Sequence, residues 1–173
     1  TGGGADGIGG AIAALFAQHG ALVEIAEIDE GRAEQSVASI TADGGTARAH
    51  VLDVTQPAEA TRLAKAVLDH HGRCDVLVNN VGDYRPLVRF AESGPESWDA
   101  MIRINLLHFY AVTHAFLGSM IERRRGAIVN ISSGAARGAG ACRRDRTTVS
   151  EGHPPRRRLQ PRRVRDRGRV VQP

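Results

Sequence analysis

Lysine is nearly missing from this chain: among its 173 residues Lys65 stands alone, against 22 arginines. Tyrosine is almost as scarce, with only Tyr84 and Tyr110. No phenol and no alkyl ammonium therefore stands beyond residue 110, which excludes proton transfer by such groups in the last third of the sequence. Cysteine is limited to Cys74 and Cys142, far apart and without CxxC or Cys/His ligand spacing. A disulfide or zinc framework is excluded on that ground, and Cys74 reads as a small buried apolar residue. No run reads as long and apolar enough to cross a bilayer, and no charged-then-apolar signal segment leads the chain. The expectation is a cytoplasmic protein without a membrane partner.

What is present is unevenly spread. Residues 1–141 carry 12 basic and 16 acidic side chains, a net of −4, whereas residues 142–173 carry 11 arginines against Asp145, Glu151 and Asp166, a net of +8. The overall +4 and the pI near 9.8 describe the tail. That tail holds four prolines and six apolar residues with no usable period. It cannot bury enough surface to offset its ordering entropy, and it reads as disordered. The expected division is a nucleotide-binding domain at 1–141 followed by an Arg/Pro-rich tail at 142–173.

Before that tail, strand and helix patterns alternate. Gly7 to His19 reads as a helix with Ile8, Ile12, Leu15 and Phe16 on one stripe, stopped by Gly20. Ala21 to Glu27 reads as a strand, in which Glu24 is awkward if both faces are covered. Glu30 to Ala42 is a second helix, and Thr46 to Leu52 a second strand. Thr55 reads as the N-cap of a helix reaching His71. Asp75 to Asn79 is a buried strand, Pro95 to about Arg123 a long helix, and Ala127 to Ile131 a fourth strand. The alternation implies an α/β fold with a parallel sheet.

Thr1–Gly10, TGGGADGIGG, is a glycine-rich loop opening a helix. Such glycines let backbone N–H groups approach a pyrophosphate, at which the helix points its positive end. Eighteen residues after Gly9 the second predicted element ends at Glu27, within AEID. An acidic group there accepts both ribose hydroxyls and repels a 2′-phosphate, so NAD is expected over NADP; the nearest arginine is Arg32. Asp29 competes for that role and reads as the cap of the next helix. His70-His71 reads as satisfying helix-terminal carbonyls, His108 and His114 as packing or solvated residues, and Arg123-Arg124-Arg125 as a solvated helix end.

Taken in order, TGGGADGIG, AEID, LDVT at 52–55, NNVG at 79–82, Asn105 in RINL and IVNISS at 128–133 make the chain resemble the short-chain dehydrogenase/reductase family, classical type. The resemblance runs from Thr1 to about Gly138. It implies a Rossmann-like doubly wound parallel sheet, and an oxidoreductase moving hydride between nicotinamide and an alcohol or ketone. It implies cofactor contacts at Gly3, Gly7, Ile8, Gly9 and Glu27, with Asp53 on the adenine amine and Val54 packed on the ring. It further implies that Asn80, Val81 and Gly82 line the cofactor through their backbone. The implied catalytic set begins with Asn105, holding a water, and Ser133, bonding the substrate oxygen. A homo-oligomer is implied only for an intact relative.

The sequence departs from that pattern in three places. Where the family has Tyr followed four residues later by Lys, this chain reads CRRDRTTVSEGH. The glycine loop has either Gly2 or Gly3 as its first glycine, and the sequence leaves both open. The family's first strand and C-terminal strands have no counterpart here, so the strands ending at Glu27 and Asn79 are expected to lose their shared neighbour at mid-sheet. The expectation is a chain inactive as it stands, its tail the product of a translated frameshift. The alternative is a non-catalytic Rossmann-like module whose arginine tail binds nucleic acid or another polyanion, although no aromatic residue interleaves there for base stacking. Asn105 falls within an apolar stripe of Trp98, Met101, Ile102, Phe109, Val112 and Phe116, which predicts a buried amide. Leu87 and Phe90 are expected near a partly apolar substrate pocket.

Overall fold

The computed structural model describes residues 1–83 and 88–133. Residues 84–87 and 134–173 lie outside that description, and with them the expectations for Leu87, Cys142, the tail and the boundary at 141. The described residues all belong to one compact unit.

Helix α1 (Ile8–Gln18) is followed by β1 (Leu22–Glu27), α2 (Glu30–Ala42), β2 (Thr46–Val51), α3 (Pro57–His71) and β3 (Val76–Asn79). A short 3-10 turn at Phe90–Glu92 leads to α4 (Pro95–Ile102), a π turn (Arg103–Leu107), α5 (His108–Glu122) and β4 (Ala127–Asn130). The starts of α2 and α3 have local causes. Asp29 Oδ1 accepts from Arg32 N at 2.8 Å and caps α2. Pro57 at the first position starts α3, so its N-cap is Gln56 and not Thr55. Thr55 N instead donates to Asp53 Oδ1 at 2.9 Å, an Asx turn.

All strand pairing is parallel. Leu22 pairs with Thr46 through Glu27 with Val51, and Val76 with Ala127 through Asn79 with Asn130. The pairs form two separate two-stranded sheets, with no strand between β1 and β3 among the described residues. The expected gap at mid-sheet is therefore present.

Successive residues of β1 point to opposite faces and enter different cores. Ile25 joins Ala13, Ala17 and Ile40 under α1 and α2. Ala26 joins Leu52, Val54, Leu63, Val67, Leu77, Val112, Phe116 and Met120 under α3 and α5. Helices thus cover both faces, as in a doubly wound fold. On α3 the buried set Ala60, Leu63, Ala64 and Val67 follows one helical stripe.

Several sequence expectations are corrected here. Pro95–Glu122 is long and apolar enough to cross a membrane by length and composition, with a mean hydropathy of 1.3. Its Val112, Phe116 and Met120 are buried in the core under the sheet, and 22% of its most apolar stretch is buried in all. The expected stripe on this helix holds only from Val112 onward; Trp98 and Ile102 are exposed. His71 does not cap α3, because Nε2 lies 2.7 Å from Glu24 Oε1. His50 Nε2 sits 2.5 Å from Glu24 Oε2, so two imidazoles resolve the awkward strand carboxylate. Burial alone would raise the Glu24 pKa, but bonds from His50 and His71 outweigh it and hold it below its ordinary value. Arg123 is not a solvated end: it donates to Asp75 Oδ1 at 2.7 Å and ties α5 to the start of β3.

Candidate functional site

The glycine loop is fastened at both ends. Gly2 N donates to Ala26 O at 2.8 Å, and Gly4 N donates to Glu27 Oε2 at 2.9 Å. From β3, Asn80 Nδ2 donates to the carbonyls of Thr1 and Gly2, both at 3.2 Å, and Asn80 N to Thr1 Oγ1 at 3.1 Å. Ser36 Oγ on α2 donates to Gly3 O at 2.6 Å. Five backbone groups of a four-residue segment are thus held by β1, α2 and β3, which fixes the loop before any ligand arrives.

Both candidates for the first glycine are required, for different reasons. Gly2 sits at φ +61°, where side chains are strained, while a Cβ at Gly3 would lie 2.7 Å from Ile25 Cγ2. At Gly9 a Cβ would collide with the Gly2 carbonyl and come within 2.7 Å of Asn80 Nδ2. Gly7 differs, since its nearest neighbour would be Gly4 O at 3.6 Å. Gly7 is the N-cap of α1 and bonds no side chain, and no acidic residue occupies the first turn. The first N–H groups of α1, with Ile8 exposed beside them, stand ready for an anion. A pyrophosphate fits this cradle.

Glu27 is 5% exposed. Besides Gly4, it accepts from Ile28 N at 3.0 Å and Asp29 N at 3.4 Å. A carboxylate offers about four acceptor sites, so these three bonds leave one unused. Arg32 closes over the loop: a Cβ at Gly4 would lie 2.7 Å from its Nε. Asp53 is half-buried at the end of β2, and Val54 beside it is buried in the core. Val81 is half-buried against the same core, and Gly82 is exposed.

Asn105 lies in the π turn, and it is exposed and not buried as its stripe predicted. Its amide donates to Asp83 O at 2.7 Å and Met101 O at 3.0 Å, and its oxygen accepts from Asp83 N at 3.1 Å. It therefore latches the segment after Gly82, where a Cβ would approach Asn105 Oδ1 at 3.0 Å. A π turn shifts the helical register and frees the side chain for this task. Ser133 is exposed, three residues past the end of β4. Phe90 is 79% exposed and stacked on Trp98, with ring centroids 5.4 Å apart.

Three residues, Asn79, Thr1 and Ser36, escaped the sequence reading. Asn79, fully buried, donates to Asn130 Oδ1 at 2.9 Å and Thr113 Oγ1 at 3.1 Å, joining the ends of β3 and β4 to α5. The signal was present, because both DVLVN and AIVN end an apolar run on Asn. Thr1 Oγ1, the acceptor for Asn80, and Ser36 had no motif to mark them. His108, read from the sequence as packing or solvated, is packed: it is fully buried, and desolvation lowers its pKa.

A parallel sheet wrapped by helices on both faces, with an anchored glycine loop opening α1, defines a Rossmann-type nucleotide-binding fold. Residues 1–143 match the family model for short chain dehydrogenase, and this chain belongs to that family. It is 40% identical over 133 residues to the 3-oxoacyl-(acyl-carrier-protein) reductase FabG of Thermotoga maritima, covering 76% of this chain and 53% of that protein. It is similar to a metagenomic short-chain oxidoreductase solved in complex with NADP, at TM-score 0.72 and 39% identity, covering 76% of this chain and 60% of that one. A 7α-hydroxysteroid dehydrogenase complexed with NADH and 7-oxo glycochenodeoxycholic acid matches at TM-score 0.75 and 33% identity, covering 80% and 53%. The chain spans about half the length of the curated relatives it matches.

Proposed function

We propose that this chain is the nucleotide-binding half of an NAD-dependent oxidoreductase acting on an alcohol or ketone, and that it is inactive alone. The observation that carries the reading is the loop from Gly2 to Gly4. It is pinned by Glu27, Ser36 and Asn80 so that the open N-terminus of α1 faces outward.

In this reading Gly3, Gly7, Ile8 and Gly9 form the pyrophosphate cradle. Glu27 offers its remaining lone pair to a ribose hydroxyl, and its charge disfavours a 2′-phosphate; NAD is preferred over NADP on that basis. Asp53 accepts from the adenine amine, and Val54 forms the floor beside it. The backbone of Asn80, Val81 and Gly82 borders the nicotinamide side, held by Asn105 through Asp83. Ser133 donates to the oxygen of the alcohol or ketone. The nicotinamide, when bound, supplies or accepts the hydride. With no Tyr or Lys beyond residue 110, no phenol exchanges the substrate proton and no ammonium tunes it.

Titration of the chain with NADH and NADPH, followed by tryptophan-independent cofactor fluorescence, tests this. Tighter binding of NADH, weakened about tenfold in Glu27→Ala, is expected. Equal affinity for both cofactors, or none in folded protein, overturns the assignment.

A further inference from the structure

Glu24 lies in the middle of β1, on the face that it shares with Ala26 and that α3 covers. Register sets His50 of β2 beside Ala26, and His71 closes α3, so three elements meet at one acidic group. Imidazoles take both of its oxygens. His71 Nε2 lies 2.7 Å from Oε1, and His50 Nε2 lies 2.5 Å from Oε2. A carboxylate only accepts, so each of these nitrogens carries a hydrogen. All three side chains are half-buried.

No guanidinium or ammonium pairs with Glu24 among the described residues. The cations along α3 and the turn after it are engaged elsewhere: Arg62 pairs with Glu59, Lys65 with Asp69, and Arg73 with Asp75. Neutral imidazoles leave the Glu24 charge unmatched, and a charge drawn out of water is costly unless it is paired. His70 adds a third imidazole. It is exposed, it stands edge-on to His71 with ring centroids 4.5 Å apart, and it makes no hydrogen bond among the described residues. One ligand atom each from Glu24, His70 and His71 lies within 4.8 Å of the other two. Zinc bonds of about 2.0–2.2 Å set tetrahedral ligand atoms roughly 3.4 Å apart. Turning the unbonded His70 ring inward supplies the difference, with β1 and the α3 backbone left in place.

We propose that Glu24, His70 and His71 form a binding site for a divalent transition metal, with zinc the best match. Two imidazoles and a carboxylate are a donor set that such ions favour, whereas magnesium and calcium take mostly oxygen ligands. Three protein ligands leave a fourth position to water. His71 offers Nε2 once its hydrogen sits on Nδ1 instead. His50 does not ligate: its bond to Oε2 orients the carboxylate from behind, as partners of metal ligands do. The ion clips the C-terminal end of α3 to β1. Such a site needs no cysteine, so the absence of Cys/His spacing is no bar to it. It shares no residue with the nucleotide cradle, and its test does not depend on cofactor binding.

The probe is zinc chloride titrated into the untagged full chain. Affinity is read by competition with a chromophoric chelator, and stability by thermal melting. One zinc per chain is expected, with a melting temperature that rises as zinc is added. Magnesium at the same concentration is expected to change neither reading. Without metal, His70→Ala is expected to melt like the parent, because the ring is exposed and unbonded. It is expected to bind zinc roughly tenfold or more weakly and to lose the zinc-dependent rise. His19→Ala, which removes an exposed imidazole at the end of α1, is expected to bind as the parent does. Equal zinc affinity in His70→Ala and the parent overturns the proposal, as does a folded parent that zinc does not stabilise. An equal loss of affinity in His19→Ala also overturns it, because the ion is then held by scattered surface imidazoles.

Discussion

Gly7 and Gly9 sit two residues apart in one loop, yet a methyl group added at each meets different surroundings. At Gly9 it collides with the Gly2 carbonyl, so Gly9→Ala is expected to displace the loop and destabilise the chain by about 1–3 kcal/mol. At Gly7 it finds only ordinary contacts, and the φ of −120° suits any residue. Gly7→Ala is therefore expected to melt within about 0.5 kcal/mol of the parent while losing nucleotide affinity. Thermal denaturation paired with NADH titration separates the two roles, and similar melting of both variants would refute the distinction. The glycines were legible because phosphate cradles need them. Ser36, which bonds the Gly3 carbonyl, and Thr1, whose hydroxyl holds Asn80, were not, since a single hydroxyl carries no spacing signal.

On the scale of elements, the long helix shows where periodicity stops informing. Its apolar stripe predicted one continuous helix with Asn105 inside, but a π turn at Arg103–Leu107 rotates the register and brings Asn105 to the surface. Nothing in RINL announces that turn. Asn105→Ala is expected to loosen the Asp83 segment, seen as faster exchange at the Asp83 amide with little change at Val112; unchanged Asp83 exchange would count against the latch. Glu24 was recognised as misplaced in a covered strand, whereas its two histidine partners lie 26 and 47 residues away and only folding unites them. Its lowered pKa makes a signed claim. The folded state favours the carboxylate, so that stability is present above the ordinary value of 4.5 and lost as pH falls through the depressed one. Urea midpoints measured from pH 6 to 3 are expected to fall less steeply in Glu24→Gln than in the parent. Parallel slopes would contradict this.

At the level of the whole molecule, the strand alternation and the gap at mid-sheet were legible, since both follow from element order. The make-up of the core was not, because it gathers Leu63 and Val67 of α3 with Val112 and Phe116 of α5, which no local pattern links.

A nucleotide cradle without a proton-transfer pair has one decisive signature, which amide NMR of the folded chain can read during titration with NADH. Shifts gathered at Gly3, Gly7, Ile8, Gly9 and Glu27, together with no reduction of NAD by any secondary alcohol, are expected. A well-dispersed spectrum that stays unmoved by NADH would show that the glycine loop holds no dinucleotide, and measurable turnover would show that the missing Tyr and Lys are not needed.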